Sequence, residues 1–246
     1  MKKRILVLGL AFTMLAATAC GTSSDDGNKT SKADKTVTAT SNSDKTSETQ
    51  KKDDKKDDAK ESYKSADDIT MDDLKNHEET SAEDFEYGDG PNGSIVIDGY
   101  TGEDPIVVIP NEIDGKKVVD FGRMFTNNKD VVAIKVGDNV EDIMENAFTN
   151  CDNLKYIVFG KNVKVINDGL LGGSKIEQIE FNDGLEKLGS NVSGVGLKSK
   201  IDVSIPESVT EMTFRGAKTL IVKSGSYAES YAKEYADKLG MAYKVE

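Results

Sequence analysis

Residues 134–166 read IKVGDNVEDIMENAFTNCDNLKYIVFGKNVKVI. Within this stretch Ile134-x-Val136-x3-Val140-x2-Ile143 is followed by Ile157-x-Phe159-x3-Val163-x2-Ile166. The spacing recurs downstream as Ile179-x-Phe181-x3-Leu185-x2-Leu188 and as Val203-x-Ile205-x3-Val209-x2-Met212, with starts 23, 22 and 24 residues apart. An earlier copy begins at Val107-x-Ile109, with Asp114-Gly115-Lys116-Lys117 inserted before Val118, and a shortened one begins at Leu220-x-Val222. Self-similarity at a fixed period of this size marks stacked repeats.

The spacing dictates the geometry. Apolar residues at i and i+2 point to one face of a strand. The next apolar pair, three residues apart, suits a turn that carries the chain back across the same interior. A single coil cannot bury its apolar side, whereas stacked coils share one core and pair their strands as a parallel ladder. Gly137-Asp138-Asn139, Gly160-Lys161-Asn162 and Asn182-Asp183-Gly184 fall at the same point of three units and read as turns that end each strand. Both ends of such a stack need covering. In front, Ile95-Val96-Ile97 and Pro105 to Ile109 read as a hairpin cap. Behind, Ser226-x-x-Glu229 is a capping box that opens a helix ended by Gly240. Its Tyr227, Tyr231, Tyr235 and Leu239 stripe is expected to face the core, with a sugar platform as the rarer alternative. Met241, Tyr243 and Val245 alternate as a last strand.

Ala147-Phe148-Thr149-Asn150-Cys151-Asp152-Asn153-Leu154, followed by Ile157, resembles the signature of BspA-type (Treponema pallidum-type) leucine-rich repeats. Met124-Phe125-Thr126-Asn127-Asn128 is a second copy, and Ser204-Ile205-Pro206-Glu207-Ser208-Val209 has that family's strand-Pro-turn. Gly169-Leu170-Leu171-Gly172 and Asn191-Val192-Ser193-Gly194 replace the Ala-Phe step, so the convex side is expected to thin there. The resemblance implies a β-rich α/β fold: a right-handed leucine-rich-repeat solenoid of about five to six coils with a parallel sheet, an N-terminal hairpin cap and a C-terminal helix cap. It implies a surface or adhesive role without naming a ligand.

The N-terminal third is of another kind. Lys2, Lys3 and Arg4 precede an apolar run from Ile5 to Ala19, shorter than the roughly 20 residues of a membrane span. Ala17-Thr18-Ala19-Cys20 resembles a lipoprotein lipobox, although Ala17 stands where Leu is commonest. The resemblance implies cleavage before Cys20, a lipid on its thiol, and anchoring to the extracytoplasmic face of a bacterial cell membrane. Residues 21–68 are dominated by Ser, Thr, Lys and Asp, with only Val37 and Tyr63 as large apolar side chains, and cannot form a core. The expected organisation is a signal peptide at 1–19, a lipidated Cys and spacer at 20–82, and the repeat domain at 83–246. A charged helix is the rival for the spacer. Asp67 to Lys75 could form a turn or two of helix before the domain.

Chemistry is narrowed by counting. The chain carries a formal net charge of -12, which disfavours nucleic acid and anionic lipid headgroups. His77 is the one histidine and falls outside the expected domain, which removes histidine-based catalysis and multi-histidine metal sites from it. No catalytic residue, metal site or cofactor is expected. Cys151 reads as a small buried hydrophobe beside Asn128 rather than a reactive thiol. With Ile157 and Phe159 inward, Tyr156 and Val158 look outward, alongside Ala133 and Lys135, Gln178 and Glu180, and Asp202 and Ser204. Tyr156, rimmed by Lys135 and Glu180, is the candidate contact for a protein or glycan ligand. The leading expectation is a monomeric, non-enzymatic lipoprotein displayed on a bacterial surface, whose solenoid binds another macromolecule. The alternative is an envelope spacer without a specific ligand.

Overall fold

The computed structural model describes residues 65–190 and 201–246. Its strands, in chain order, are β1 (Phe85–Asp89), β2 (Ile95–Tyr100), β3 (Ile106–Val108), β4 (Glu112–Ile113), β5 (Lys116–Asp120), β6 (Ala133–Lys135), β7 (Asp142–Ile143) and β8 (Tyr156–Val158). There follow β9 (Val165–Ile166), β10 (Gln178–Glu180), β11 (Lys187–Leu188), β12 (Asp202–Ser204), β13 (Glu211–Met212), β14 (Thr219–Val222) and β15 (Ala242–Val245). Helix α1 spans Met71–Asn76 and α2 spans Tyr227–Tyr235.

The two apolar pairs of each repeat build two parallel ladders. The first joins β3, β6, β8 and β10, with Val107, Ile134, Ile157 and Ile179 in one inward column. The second joins β7, β9, β11 and β13 through Ile143, Ile166, Leu188 and Met212. A third parallel sheet orders β12, β14 and β15; Val203 and Leu220 carry the column onward, while Tyr243, the partner of Leu220 on β15, is 42% exposed. The result is a leucine-rich-repeat solenoid of about six turns. Ile134, Ile157, Val163, Ile166, Leu185 and Leu188 are at most 1% exposed, each worth about 1.5–3 kcal/mol in burial. On the other side of the core, Phe121, Phe125 and Phe148 pack with ring centroids 5.6–6.1 Å apart.

Turn chemistry repeats with the coils. Asn127 and Asn150 both hold φ near +60°, and Gly173 takes the same place one coil on; asparagine tolerates that left-handed backbone better than most residues. The Asn150 amide donates to Asn127 Oδ1 at 3.0 Å, lacing the two turns together. Gly137 and Gly160 open the turns expected of them, their carbonyls accepting from Val140 N–H at 3.3 Å and Val163 N–H at 3.2 Å. Their requirement is space, since a Cβ on Gly160 would collide with the Gly137 carbonyl of the coil below.

Three expectations change. The front hairpin pairs β1 with β2 antiparallel, not β2 with Pro105 to Ile109. The latter segment is β3, drawn into the parallel ladder because Val107 belongs to the inward column. At the back, half of the expected Ser226 and Glu229 capping box forms: Glu229 N–H donates to Ser226 Oγ at 3.0 Å, but Glu229 Oε2 accepts from Gly225 N–H at 2.8 Å, because Ser226 N–H is already given to Lys223 O. Only Tyr231 of the tyrosine stripe is buried, its hydroxyl donating to Phe214 O at 2.9 Å, while Tyr227 and Tyr235 are 43% and 38% exposed. The helix buries Ala228, Tyr231 and Ala232 instead. Finally, packed structure begins well before Glu83. Ile69, Met71 and Leu74 are buried, so residues 65–82, expected in the spacer, belong to the fold. Cys20, the expected signal peptide and Asn191 to Gly194 lie outside the described residues.

Candidate interaction face

The outward side of the strands divides into two halves of opposite chemistry. On β3, β6 and β8 it presents Ile106, Val108, Ala133, Tyr156 and Val158 around Lys135. On β10 and β12 it presents Gln178, Glu180, Asp202 and Ser204, all exposed.

The apolar half is covered by the chain itself. Thr70-x-x-Asp73 starts α1 as a capping box: Asp73 N–H donates to Thr70 Oγ1 at 3.3 Å, and Thr70 N–H to Asp73 Oδ2 at 2.7 Å. Asp72 and Asp73 in the first turn and Lys75 in the last suit the helix dipole. The spacing Ile69-x-Met71-x-x-Leu74 then lays three apolar side chains on Ile106, Val108, Val132, Ala133 and Tyr156. Polar contacts frame the seat. Lys155 Nζ lies 2.5 Å from Asp67 Oδ1 and 3.7 Å from Glu177 Oε1. Lys75 Nζ lies 2.6 Å from Glu180 Oε1. Past the helix, Thr80 N–H donates to Val108 O at 3.0 Å and Val108 N–H to Thr80 Oγ1 at 2.9 Å, which occupies the free edge of β3. His77, expected outside the domain, places Nε2 3.6 Å from Asp104 Oδ2.

Tyr156, Lys135 and Glu180 therefore do share one face, with Lys135, Val158 and Glu180 in a single cross-strand row. The exposure expected of Tyr156 is not found. It is 9% exposed beneath α1, and its hydroxyl donates to Glu177 Oε2 at 3.2 Å. Burial, and next the charge of Glu177, raise its pKa. Glu180 is engaged by Lys75. Lys155 anchors the cover, and the hydrogen bond to Asp67 raises its pKa and lowers that of Asp67. Nothing in the repeat pattern marks Lys155 for this role. The sequence signal for the cover is the Thr70-x-x-Asp73 capping box, with Ile69 just before it and Met71 and Leu74 after it.

The other half, which no described residue covers, borders an open groove of 910 Å³ lined by Gln178, Glu180, Asp202, Ser204, Pro206 and Lys223. It has donors, acceptors and acids but no buried ionisable group. Elsewhere, Cys151 is 2% exposed and donates to Phe125 O at 2.9 Å. Burial pushes its thiol up to about 11, so it stays protonated. As expected, the thiol also faces Asn128, through that residue's backbone N–H, while the Asn128 side-chain Oδ1 accepts from the N–H groups of Asp130 and Val131. Among the described residues no group of three or more His, Cys, Asp or Glu is placed to hold a metal, and no helix is long and apolar enough to cross a membrane.

Comparison with known proteins agrees with this architecture. Residues 122–217 match the BspA type leucine rich repeat region in six copies. Among solved structures, a leucine rich repeat protein of T. pallidum is 27% identical with a TM-score of 0.50, over 58% of this chain and 71% of that one. A leucine-rich repeat protein from Bacteroides ovatus is 19% identical with a TM-score of 0.47, over 68% and 52% of the two chains. No curated protein matches the chain.

Proposed function

We propose that this chain is a non-enzymatic, lipid-anchored binding module of a bacterial envelope, and that its leucine-rich-repeat solenoid takes a protein ligand on the uncovered half of its outer sheet. The observation that carries the ligand site is the division of that face. Its apolar half is filled by α1, while Gln178, Glu180, Asp202 and Ser204 stand exposed beside the groove. An open sheet face of this kind supplies extended area for a macromolecule, and its polar make-up favours electrostatic selection of the partner. The anchor rests on Ala17-Thr18-Ala19-Cys20 behind a basic and apolar leader.

Photo-crosslinking tests the ligand site. With a benzophenone amino acid at position 202, cells or envelope extracts should yield a discrete crosslinked protein. The same group at Met144, 46% exposed and outside the first ladder, should not. Identical products from both positions would remove the assignment. For the anchor, Cys20→Ser should move the protein out of the detergent phase in partitioning; retention there would refute lipidation.

A further inference from the structure

We infer that the outer face of β3, β6 and β8 is a receptor groove for a short amphipathic helix, that α1 is its resident ligand, and that the groove exchanges α1 for the same helix of a second copy of this chain. This surface adjoins the open half proposed above, sharing Glu180 at its edge, and does not depend on that reading or on the lipid anchor.

The first ground is that the groove is not within the solenoid's interior. Ile69, Met71, Leu74, Ile106, Val108, Val132, Ala133 and Tyr156 form a cluster of their own. The stacked coils bury their inward columns in a different and larger cluster. Withdrawing α1 would thus expose an outer apolar face and leave the coil interior closed.

The second ground is that the ligand is weakly self-sufficient. Six residues are far below the length at which a helix persists alone in water, so α1 owes its form to the groove and to its capping box. Its hold is Ile69, Met71 and Leu74 with part-buried Ala66, the Lys155–Asp67 and Lys75–Glu180 pairs, and, just beyond the helix, the Glu79–Asn111 and Thr80–Val108 hydrogen bonds, which would have to be exchanged with it. Its only described covalent route into the domain runs through residues 77–84, which include the extended backbone at His77 (φ -69, ψ 139). Such a segment can leave and return without unfolding the repeats.

The third ground is specificity. The groove reads Ile-x-Met-x-x-Leu with an acid two residues before the isoleucine and a lysine just after the leucine, and it matches the acid to Lys155 and the lysine to Glu180. A second copy carries that pattern by identity, so every contact made within one chain can be made between two. This is the condition for exchange of an identical element. The tethered helix competes at an effective concentration in the millimolar range, so exchange is favoured where the resident helix is impaired or copies are crowded.

The test uses full-length chains and a fluorescein-labelled peptide of residues 65–80. Leu74→Asp should undock the resident helix while the repeats keep their cooperative melting transition, and it should bind the peptide saturably. Wild type should bind at least 10-fold more weakly because its groove is filled. Adding Lys155→Glu to Leu74→Asp should weaken peptide binding at least 10-fold. Asp67→Lys, which touches no apolar contact, should give intermediate binding. Finally, Leu74→Asp offers a free groove, and Tyr156→Asp a sound helix with a spoiled groove. Mixed, the two should form a 1:1 heterodimer by analytical ultracentrifugation, although each alone is monomeric. Loss of the repeats' melting transition in both Leu74→Asp and Asp67→Lys would overturn the inference by making α1 integral to the solenoid. Folded Leu74→Asp that ignores the peptide would overturn the groove, and mixtures that stay monomeric would overturn the exchange between copies.

Discussion

Ile157 and Lys155 are two residues apart and fail in different ways when charged. Ile157 is fully buried between Ile134 and Ile179. Ile157→Asp strands an unpaired carboxylate there and should cost several kcal/mol, enough to abolish the thermal transition followed by circular dichroism. Lys155→Asp should leave that transition in place. It puts a third acid beside Asp67 and Glu177, so the expected result is faster amide exchange at Leu74 as α1 loosens. The role of Ile157 is legible in the sequence because a period of two fixes which strand residues point inward. That of Lys155 is not, because its partner Asp67 lies 88 residues away in a polar tract with no pairing signal. Gly160 is legible as the start of a turn, which it is; what the sequence does not show is that the adjacent Gly137 carbonyl leaves no room for a side chain. Gly160→Ala should destabilise by about 1–3 kcal/mol through overpacking, checked by urea denaturation. Cys151 titrates within the core. Its thiol is raised from an ordinary value of 9.0 to about 11 by burial, so the folded state holds the proton more tightly than the unfolded one. Its contribution should be complete below pH 9 and lost as pH rises through about 11. In a Cys20→Ser background, a thiol reagent at pH 8 should label the native chain far more slowly than the urea-unfolded chain.

Helices at the two ends carry similar start signals in unlike surroundings. Ser226-x-x-Glu229 precedes alanines and tyrosines at helical spacing, and α2 follows it as the sequence suggests. Thr70-x-x-Asp73 is a complete capping box, yet it sits among lysines and aspartates, where composition argues against order and only three apolar residues argue for it. Docking supplies what local propensity lacks. That is a tertiary effect, invisible until Ile106, Val108 and Tyr156 are brought side by side by the ladder. The front hairpin escapes the sequence for a related reason. β1, reading Phe85-Glu86-Tyr87-Gly88-Asp89, has too little apolar alternation to outrank β3 as a partner for β2. Ser226→Ala removes the acceptor for Glu229 N–H and should cost about 1 kcal/mol. In a domain of this size that lowers the melting temperature by about 2–4 °C, measurable by scanning calorimetry.

For the whole chain, the repeat is the unit in which structure is readable and in which it can be edited. Each coil contacts its neighbours through the same inward columns, so stability is close to a sum over coils and their interfaces. Deleting residues 157–178 brings Ile179 into the place of Ile157 and keeps the ladder in register. The shortened chain should fold with the same circular dichroism shape and a melting temperature several degrees lower. Deleting residues 157–167, half that length, should abolish folding because it sets strands against turns. The uncovered outer face is legible as polar; its covered half is not, since the cover is not a repeat. The place where α1 joins the domain also sets a mechanical order. Tension applied to the chain ahead of Ser65 meets the Asp67–Lys155 pair first, then Ile69, Met71 and Leu74 in turn, and only afterwards the Thr80–Val108 bonds at the sheet edge. Contacts strung along the line of pull break singly and in sequence, as a zipper does, rather than sharing the load. The coils beyond are spared while the strap peels, and what stretching lays bare is the apolar outer face of β3, β6 and β8.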